Sequence, residues 1–345
     1  MKYTDGYLCG LKDCARRNGA MELAGSKILI TGASGLIGSA LADVLLCSNR
    51  DLDNSIEVIL AGRNEEPVTR RFSYWGNSAY AFAKYDAAEP VCFDFEADYV
   101  IHCASNAHPR AYTEQPVETL VNNVAGTSNM LAYARDCGAR RVLYVSSSEV
   151  YGKRSGMQPY GEDEYYLVDP LNARSCYPNS KRACETLCVA YFYEYGLDSV
   201  IARPGHVWGP TATGSDSRAH AEFARNAAAK RDIVLKSPGG QLRSYIYSTD
   251  CAGALLTILL KGASREAYNV GVPGEACTIR QLADALALAG GVDVVRDFPT
   301  ADEKRGYNPM SCSALDCGKL ANLGFKAQWC LEDAARETVD CLVLG

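Results

Sequence analysis

The chain has 345 residues, 48% of them hydrophobic and 22% charged, with a formal net charge of −6. Such a composition excludes a disordered chain, supplies a large buried core, and disfavours a nucleic-acid partner, which needs a basic face. No run approaches the roughly 18 consecutive apolar residues that span a bilayer, so no membrane partner is expected.

The first 25 residues, beginning MKYTDGYLCGLKDCARRNG, read as a mixed polar extension without the apolar centre of a secretion signal. From residue 27 strands and helices alternate. KILITGASGLIGSALADVLL (27–46) reads as strand, glycine-rich turn and amphipathic helix, and EVILAGRN (57–64) and YAFAKYDA (80–87) as the second and third strands. DYVIHCAS (98–105) is the fourth, followed by the helix VETLVNNVAGTSNMLAYARDCG. RRVLYVSSS (140–148) is the fifth, and the helix SKRACETLCVAYFYEYG leads to a further strand, DSVIARPG (198–205). This alternation predicts βαβ units around a largely parallel sheet. Past residue 205 Gly and Pro cluster around 208–215 and 237–241, and short strands mix with helices such as IRQLADALALAGG.

The fifteen cysteines form no CxxC pair, and most lie in apolar runs, among them Cys47, Cys92 and Cys103. That pattern fits reduced thiols in the cytoplasm, with Cys184 and Cys188 on one helix face. Zinc-ligand spacings are missing, so no metal is expected.

TGASGLIG puts Gly32, Gly35 and Gly38 in the turn between the first strand and the first long helix. Glycines there permit a tight turn and let backbone N–H groups reach a pyrophosphate at the helix N-terminus. Ser34, Leu36 and Ile37 share this turn, and with Ala104 and Asn123 they form the candidate cofactor-binding set. An acid at the end of the second strand would bind the ribose 2′-OH of NAD, and an arginine there accommodates the 2′-phosphate of NADP. The chain has Gly62-Arg63 and no acid, so NAD and NADP both stay open, with Arg63 a phosphate candidate. Asp86, after the third strand, is a candidate acceptor for the adenine amine.

The fifth strand ends in Ser146-Ser147-Ser148-Glu149, and thirty residues past Ser147 comes Tyr177-Pro-Asn-Ser-Lys181. A tyrosine and a lysine four apart share a helix face. A nearby ammonium and a positive nicotinamide would lower the phenol pKa, so that Tyr177 takes a proton from a substrate hydroxyl as the nicotinamide takes a hydride. Ser147 would hydrogen-bond the same oxygen.

Glycine loop, serine cluster and YxxxK together resemble the extended short-chain dehydrogenase/reductases of the nucleotide-sugar epimerase/dehydratase type. The resemblance runs from about residue 26 to 340. It implies an α/β fold: a Rossmann-type doubly wound parallel sheet (26–205) with a smaller C-terminal substrate-binding lobe (206–345), interleaved without a clean linker. It also implies a catalytic Ser147, Tyr177 and Lys181, with Lys181 also on the nicotinamide ribose, and a homodimer packed through the YxxxK helix and the helix before the fifth strand.

Within that family the chain is most similar to the UDP-glucuronate decarboxylase (UDP-xylose synthase) group. HCASNAHPRAY (102–112), NNVAGTSNML, SSSEVYG, VDPLNARSCYPNSKRACETLC and QLRSYIYSTD (241–250) carry the likeness. It implies a nucleotide-sugar substrate, with Arg243 and Arg218 on the nucleotide diphosphate. All members first oxidise the sugar C4 hydroxyl. A 4,6-dehydratase uses an adjacent Asp-Glu pair, where this chain has Ser148-Glu149. A decarboxylase needs only the C4 ketone, with Glu149 orienting substrate or water and Arg174 positioning an acidic sugar. A 4-epimerase or 4,6-dehydratase of surface-polysaccharide synthesis, the latter because GDP-mannose dehydratases manage with Ser-Glu, a net NADPH-dependent reductase and a non-catalytic NAD(P)-binding protein are the alternatives. The chain departs from the group by lacking the acid at the second strand and an arginine after Gly209-Pro210, and by carrying KRGYNPMSC (304–312) instead of an RKPD-type motif.

Among the remaining candidates, His102 and His108 flank the fourth strand, with packing the expected role of His102 and catalysis an option for His108. Trp208 is expected in the core, and EDEYY (162–166) as a solvated loop.

Overall fold

The computed structural model describes residues 3–105, 107, 109–297 and 310–344. Its first element is a helix, α1 (Asp5–Arg17), within the stretch read as a polar extension. Thr4 starts it by accepting the Tyr7 amide at 3.0 Å on its side-chain oxygen. Tyr7, Leu11, Cys14 and Ala15 make its buried face at helical spacing.

The expected alternation follows: β1 (Lys27–Thr31), α2 (Leu36–Asp51), β2 (Glu57–Gly62), α3 (Glu65–Phe72), β3 (Ala81–Lys84) and β4 (Tyr99–His102). Next come α4 (Pro109–Glu114), α5 (Pro116–Asp136), β5 (Arg141–Val145), α6 (Cys176–Tyr195) and β6 (Ser199–Pro204). The rest of the chain adds β7 (His206–Trp208), α7 (Ala219–Ala228), β8 (Ile233–Leu235), β9 (Leu242–Arg243), β10 (Tyr245–Tyr247), α8 (Ser248–Lys261) and β11 (Ala267–Val270). After α9 (Ile279–Gly290) the C-terminal helix is Leu331–Leu344.

Seven strands form one parallel sheet in the order β3-β2-β1-β4-β5-β6-β11. The last of them comes from residues 267–270, so the chain returns to the main sheet after building part of the lobe. Strand order reverses between β1 and β4, which pair as Thr31↔His102, and a crevice opens at the strand C-termini beside such a switch. Both faces are covered, which is why β1 is a nearly continuous apolar run and β6 is buried along its whole length. Ile28 and Ile30 pack toward α1, α2 and α8, and Leu29 packs on the opposite side with Met130 of α5 and Cys184 and Cys188 of α6. A third core joins Trp208, Phe223, Tyr245, Leu282 and Val339 in the lobe, and Trp208 has the core role expected of it.

The fifth strand stops at Val145, short of the predicted 148. The Ser146 amide still reaches the Ala202 carbonyl at 2.7 Å, but Ser147 then caps a 3-10 turn, Ser148–Tyr151, and the ladder ends. Residues 162–166 are also more firmly held than a solvated loop. Arg203, 2% exposed, donates to the Glu162 carbonyl at 2.8 Å and the Tyr165 hydroxyl at 3.2 Å, and the Glu162 carboxylate accepts the Asn269 amide. Cys92, expected inside an apolar run, is exposed.

α1 is fastened by a buried acid. Asp43 of α2 is fully buried and accepts from the Tyr3 hydroxyl at 2.7 Å, the Tyr7 hydroxyl at 3.0 Å, the Trp75 indole at 2.8 Å and the Arg71 guanidinium. A buried carboxylate is tolerated only when its lone pairs are used in this way. Among the described residues no helix is long and apolar enough to cross a membrane.

Candidate active site

The turn from β1 into α2 is the first wall of the crevice. Gly32 has φ +65°, and a Cβ there would lie 2.9 Å from the Ala104 backbone. At Gly38 a Cβ would come within 2.5 Å of the Gly32 carbonyl, so helix and turn touch backbone to backbone. Gly35 begins α2 with no side-chain cap, which leaves the first-turn N–H groups of Leu36 and Ile37 free to hold an anion. Ser34 is half-buried beside them. The Leu36 carbonyl accepts the Thr211 hydroxyl at 2.9 Å, which ties the turn to the lobe.

At the floor, His102 is 3% exposed, 2.8 Å from the Thr31 hydroxyl, and stacked toward Tyr144. Burial, and after it the Lys181 charge, push its pKa down to about 3, so it stays neutral and packed. The Ala104 amide donates to Thr31 at 3.2 Å. Asn123 of α5 donates to Ser180 at 2.8 Å and accepts from Ser105 at 2.9 Å, so its side chain joins α5 to α6 and to the end of β4.

α6 delivers Tyr177 and Lys181 from one face, both buried. Lys181 donates to the Val145 carbonyl at 2.8 Å, which leaves two of its three N–H donors for another acceptor. Burial brings its pKa down to about 8. Ser147 accepts the Glu149 amide at 3.2 Å, and its neighbour Ser146 donates to Glu185 at 2.6 Å, one turn beyond Lys181. Ser148 opens the 3-10 turn. Glu149 and Arg174 form a two-armed ion pair, 3.0 Å on each arm.

The expected lowering of the phenol pKa counts a positive nicotinamide, and without it the phenol is pushed the other way. The protein's own groups push Tyr177 up to about 12, burial first and the Glu149 carboxylate second. Hydroxyls of Ser147 and Tyr112 and the Arg218 charge pull the other way. The Lys181 ammonium, which donates to Val145, sits 5.8 Å from the Tyr177 ring centre.

The two arginines expected to hold substrate are engaged within the chain. Arg218 pairs with Asp216 at 2.9 Å, and Arg243, 3% exposed, donates to the Leu242 and Met310 carbonyls, each at 2.9 Å. His206 feels both charges, and its Nδ1 is buried without a partner among the described residues. Burial, then Arg243 and Arg218, push its pKa down to about 3. Arg218 is close to Tyr177 electrostatically, and Arg243 belongs to the His206 end of the lobe. On the far side of the glycine turn, Arg63 is exposed and makes no hydrogen bond or ion pair among the described residues, while Asp86 accepts the Ala88 amide at 3.1 Å. His108 and residues 304–309 lie outside the described residues. Sequence reasoning passed over Tyr112, His206 and Asp216. Only Asp216 left a local signal, an acid two residues before Arg218.

The site fits a dinucleotide by its own chemistry: an uncapped helix start behind a glycine turn that admits no Cβ, and a buried ammonium with donors to spare. The NAD dependent epimerase/dehydratase family model matches residues 28–271. The chain belongs to that family and is an NAD-dependent enzyme of it. Within the family it is similar to UDP-glucuronic acid decarboxylase 6 of Arabidopsis thaliana, 33% identical over 296 residues, covering 85% of this chain and 83% of the relative. Among solved structures, it resembles a UDP-N-acetylglucosamine 4-epimerase from Methanobrevibacter ruminantium with TM-score 0.78 and 23% identity, covering 93% and 99% of the two chains. A UDP-glucuronic acid 4-epimerase from Bacillus cereus gives TM-score 0.75 at 23% identity, covering 92% and 98%. At those identities the family fold is what is shared.

Proposed function

We propose that this family member decarboxylates UDP-glucuronate to UDP-xylose. The observation that carries the reading is a set of relatives 33–34% identical over 85% of the chain, each bearing the name UDP-glucuronic acid decarboxylase. The serine at 148 supports it, because many dehydratases, though not the GDP-mannose group, use an acid there for the departing hydroxyl, and a decarboxylase needs none.

The Gly32–Gly38 turn would hold the pyrophosphate of NAD, and Lys181 the nicotinamide ribose. Bound NAD would accept the hydride from sugar C4 and return it. Tyr177 takes the proton of the C4 hydroxyl, while Ser147 hydrogen-bonds the same oxygen. The C5 carboxylate then lies β to a ketone. The bond between C5 and the carboxyl carbon breaks, carbon dioxide leaves, and the electron pair stays on the ring as an enolate. Ser147 and Tyr177 hold the enolate oxygen. Glu149, kept in place by Arg174, orients the water that protonates C5. Tyr177 finally gives its proton back to the C4 oxygen. Arg218 and Arg243 would hold the diphosphate.

Residues 26–205 with β11 would then serve as the cofactor half, and most of 206–345 as the substrate lobe. Exposed Val117, Leu120 and Val121 on α5 support packing against a second copy through that helix. Fifteen unpaired cysteines support a cytoplasmic setting.

The test is incubation of the purified protein with UDP-glucuronate, followed by mass spectrometry of the nucleotide sugars. The expected product is lighter by one carbon dioxide, with no net consumption of NAD. A product of unchanged mass and new retention time replaces decarboxylation by 4-epimerisation. Untouched UDP-glucuronate overturns the substrate assignment.

A further inference from the structure

Tyr112 of α4 has no part in the chemistry above, yet its ring lies on that of Tyr177, with centroids 4.5 Å apart and planes at 19°. The two rings form a small buried cluster of their own, with Cys176 packed against it. The Cys176 thiol reaches the Tyr112 carbonyl at 3.9 Å, and the Arg174 guanidinium lies 5.8 Å from the Tyr112 ring centre. The start of α6 and the residues before it thus hold Tyr112 against the catalytic candidate. Near-parallel ring contacts at this distance fix orientation as well as burying area.

We propose that Tyr112 is a positioning residue for Tyr177, holding its ring by stacking and donating a hydrogen bond to its oxygen once the phenol has lost its proton. The inference rests on Tyr177 being the proton-transfer residue of the reading above. Around that phenol stand Glu149 from the 3-10 turn, Arg174 ahead of α6, Arg218 from the loop before α7, Tyr144 from β5, Lys181 from its own helix, and Tyr112. Glu149 opposes ionisation of Tyr177, and Tyr112 is among the few groups that favour it. Tyr112 itself is kept neutral by burial, so its hydroxyl is a donor at any working pH.

Tyr112→Phe keeps the stacked ring and removes only the hydroxyl, whereas Tyr112→Leu removes both. Fluorotyrosine placed at position 177 reports its ionisation by 19F resonance, with no substrate needed. In the Phe variant the titration midpoint should rise by about one pH unit, the size expected for losing one hydrogen bond to a charged oxygen. Turnover of UDP-glucuronate at pH 7 should fall about tenfold with KM within about twofold. In the Leu variant the fall should be larger, because the ring is no longer held. An unmoved midpoint at 177 in the Phe variant, with melting temperature unchanged, overturns the proposal even where turnover drops. A raised midpoint in a protein that leaves UDP-glucuronate untouched upholds the role of Tyr112 and sinks the substrate assignment instead.

Discussion

Asp43 and Lys181 are both buried charges set among tyrosines, one under the N-terminal helix and one at the strand ends. Asp43 accepts from two tyrosine hydroxyls, an indole and a guanidinium. Among the described residues Lys181 donates to the Val145 carbonyl, which leaves two of its donors unspent. The Asp43 carboxylate has its lone pairs used, although Nε of its partner Arg71 is itself buried without a partner among the described residues. A carboxylate satisfied by four donors holds a fold together, and an ammonium that leaves donors unspent is arranged for a molecule that is not part of the chain. The two regions should therefore respond oppositely to substitution.

The largest effect is expected on the open side. Tyr177→Phe should lower UDP-glucuronate turnover by roughly a thousandfold, within the range for losing a proton-transfer group, while the melting temperature stays put. A loss below tenfold would remove Tyr177 from the chemistry and break the contrast.

On the closed side, Asp43→Ala leaves the Arg71 charge buried without its partner. Unfolding in urea should show a loss of about 3–5 kcal/mol, with activity per folded molecule retained. Equal stability of variant and parent would mean that α1 is held by its apolar face alone.

Lys181→Met sharpens the comparison because its sign is reversed. Burial lowers the folded pKa of Lys181 from 10.5 to about 8, so between those values the unfolded chain binds more protons than the folded one. Stability of the parent should rise with pH across that window, and the variant should lack this component. At pH 7 the variant should be more stable by on the order of 2 kcal/mol and inactive. A destabilised variant would show that the ammonium is a structural group like Asp43.

The smallest effect concerns Arg63. Because this side chain is exposed and without partners among the described residues, Arg63→Ala should change NAD affinity by less than about twofold, measured by calorimetric titration. A weakening confined to NADP would assign the guanidinium to a 2′-phosphate.

Much of the cofactor side was legible because its signals are local. A glycine turn after an apolar strand, and a tyrosine and lysine on one helix face, need only neighbours within a few residues to be recognised. α1 was equally local, since Tyr7, Leu11, Cys14 and Ala15 follow helical spacing behind the Thr4 cap, but the polar residues between them masked the pattern. Tyr112 offered no such signal. It is sixty-five positions from Tyr177, and only the return of α4 onto the start of α6 stacks the two rings. The protein's own effect on Tyr177 was hidden for a related reason: spacing brings Lys181 onto the same face, but burial and Glu149 act the other way.

The sequence by itself determined the parallel βαβ order, the glycine turn and the family, because hydrophobic period and short motifs are properties of contiguous residues. Tertiary structure alone decided that Asp43 anchors the N-terminal helix, that Arg174 holds Glu149, that Asn123 bridges α5 and α6, and that Tyr112 covers Tyr177. Each of these joins residues far apart in the chain, and its energetics depend on burial, which removes water as the competing partner and makes every remaining donor and acceptor count.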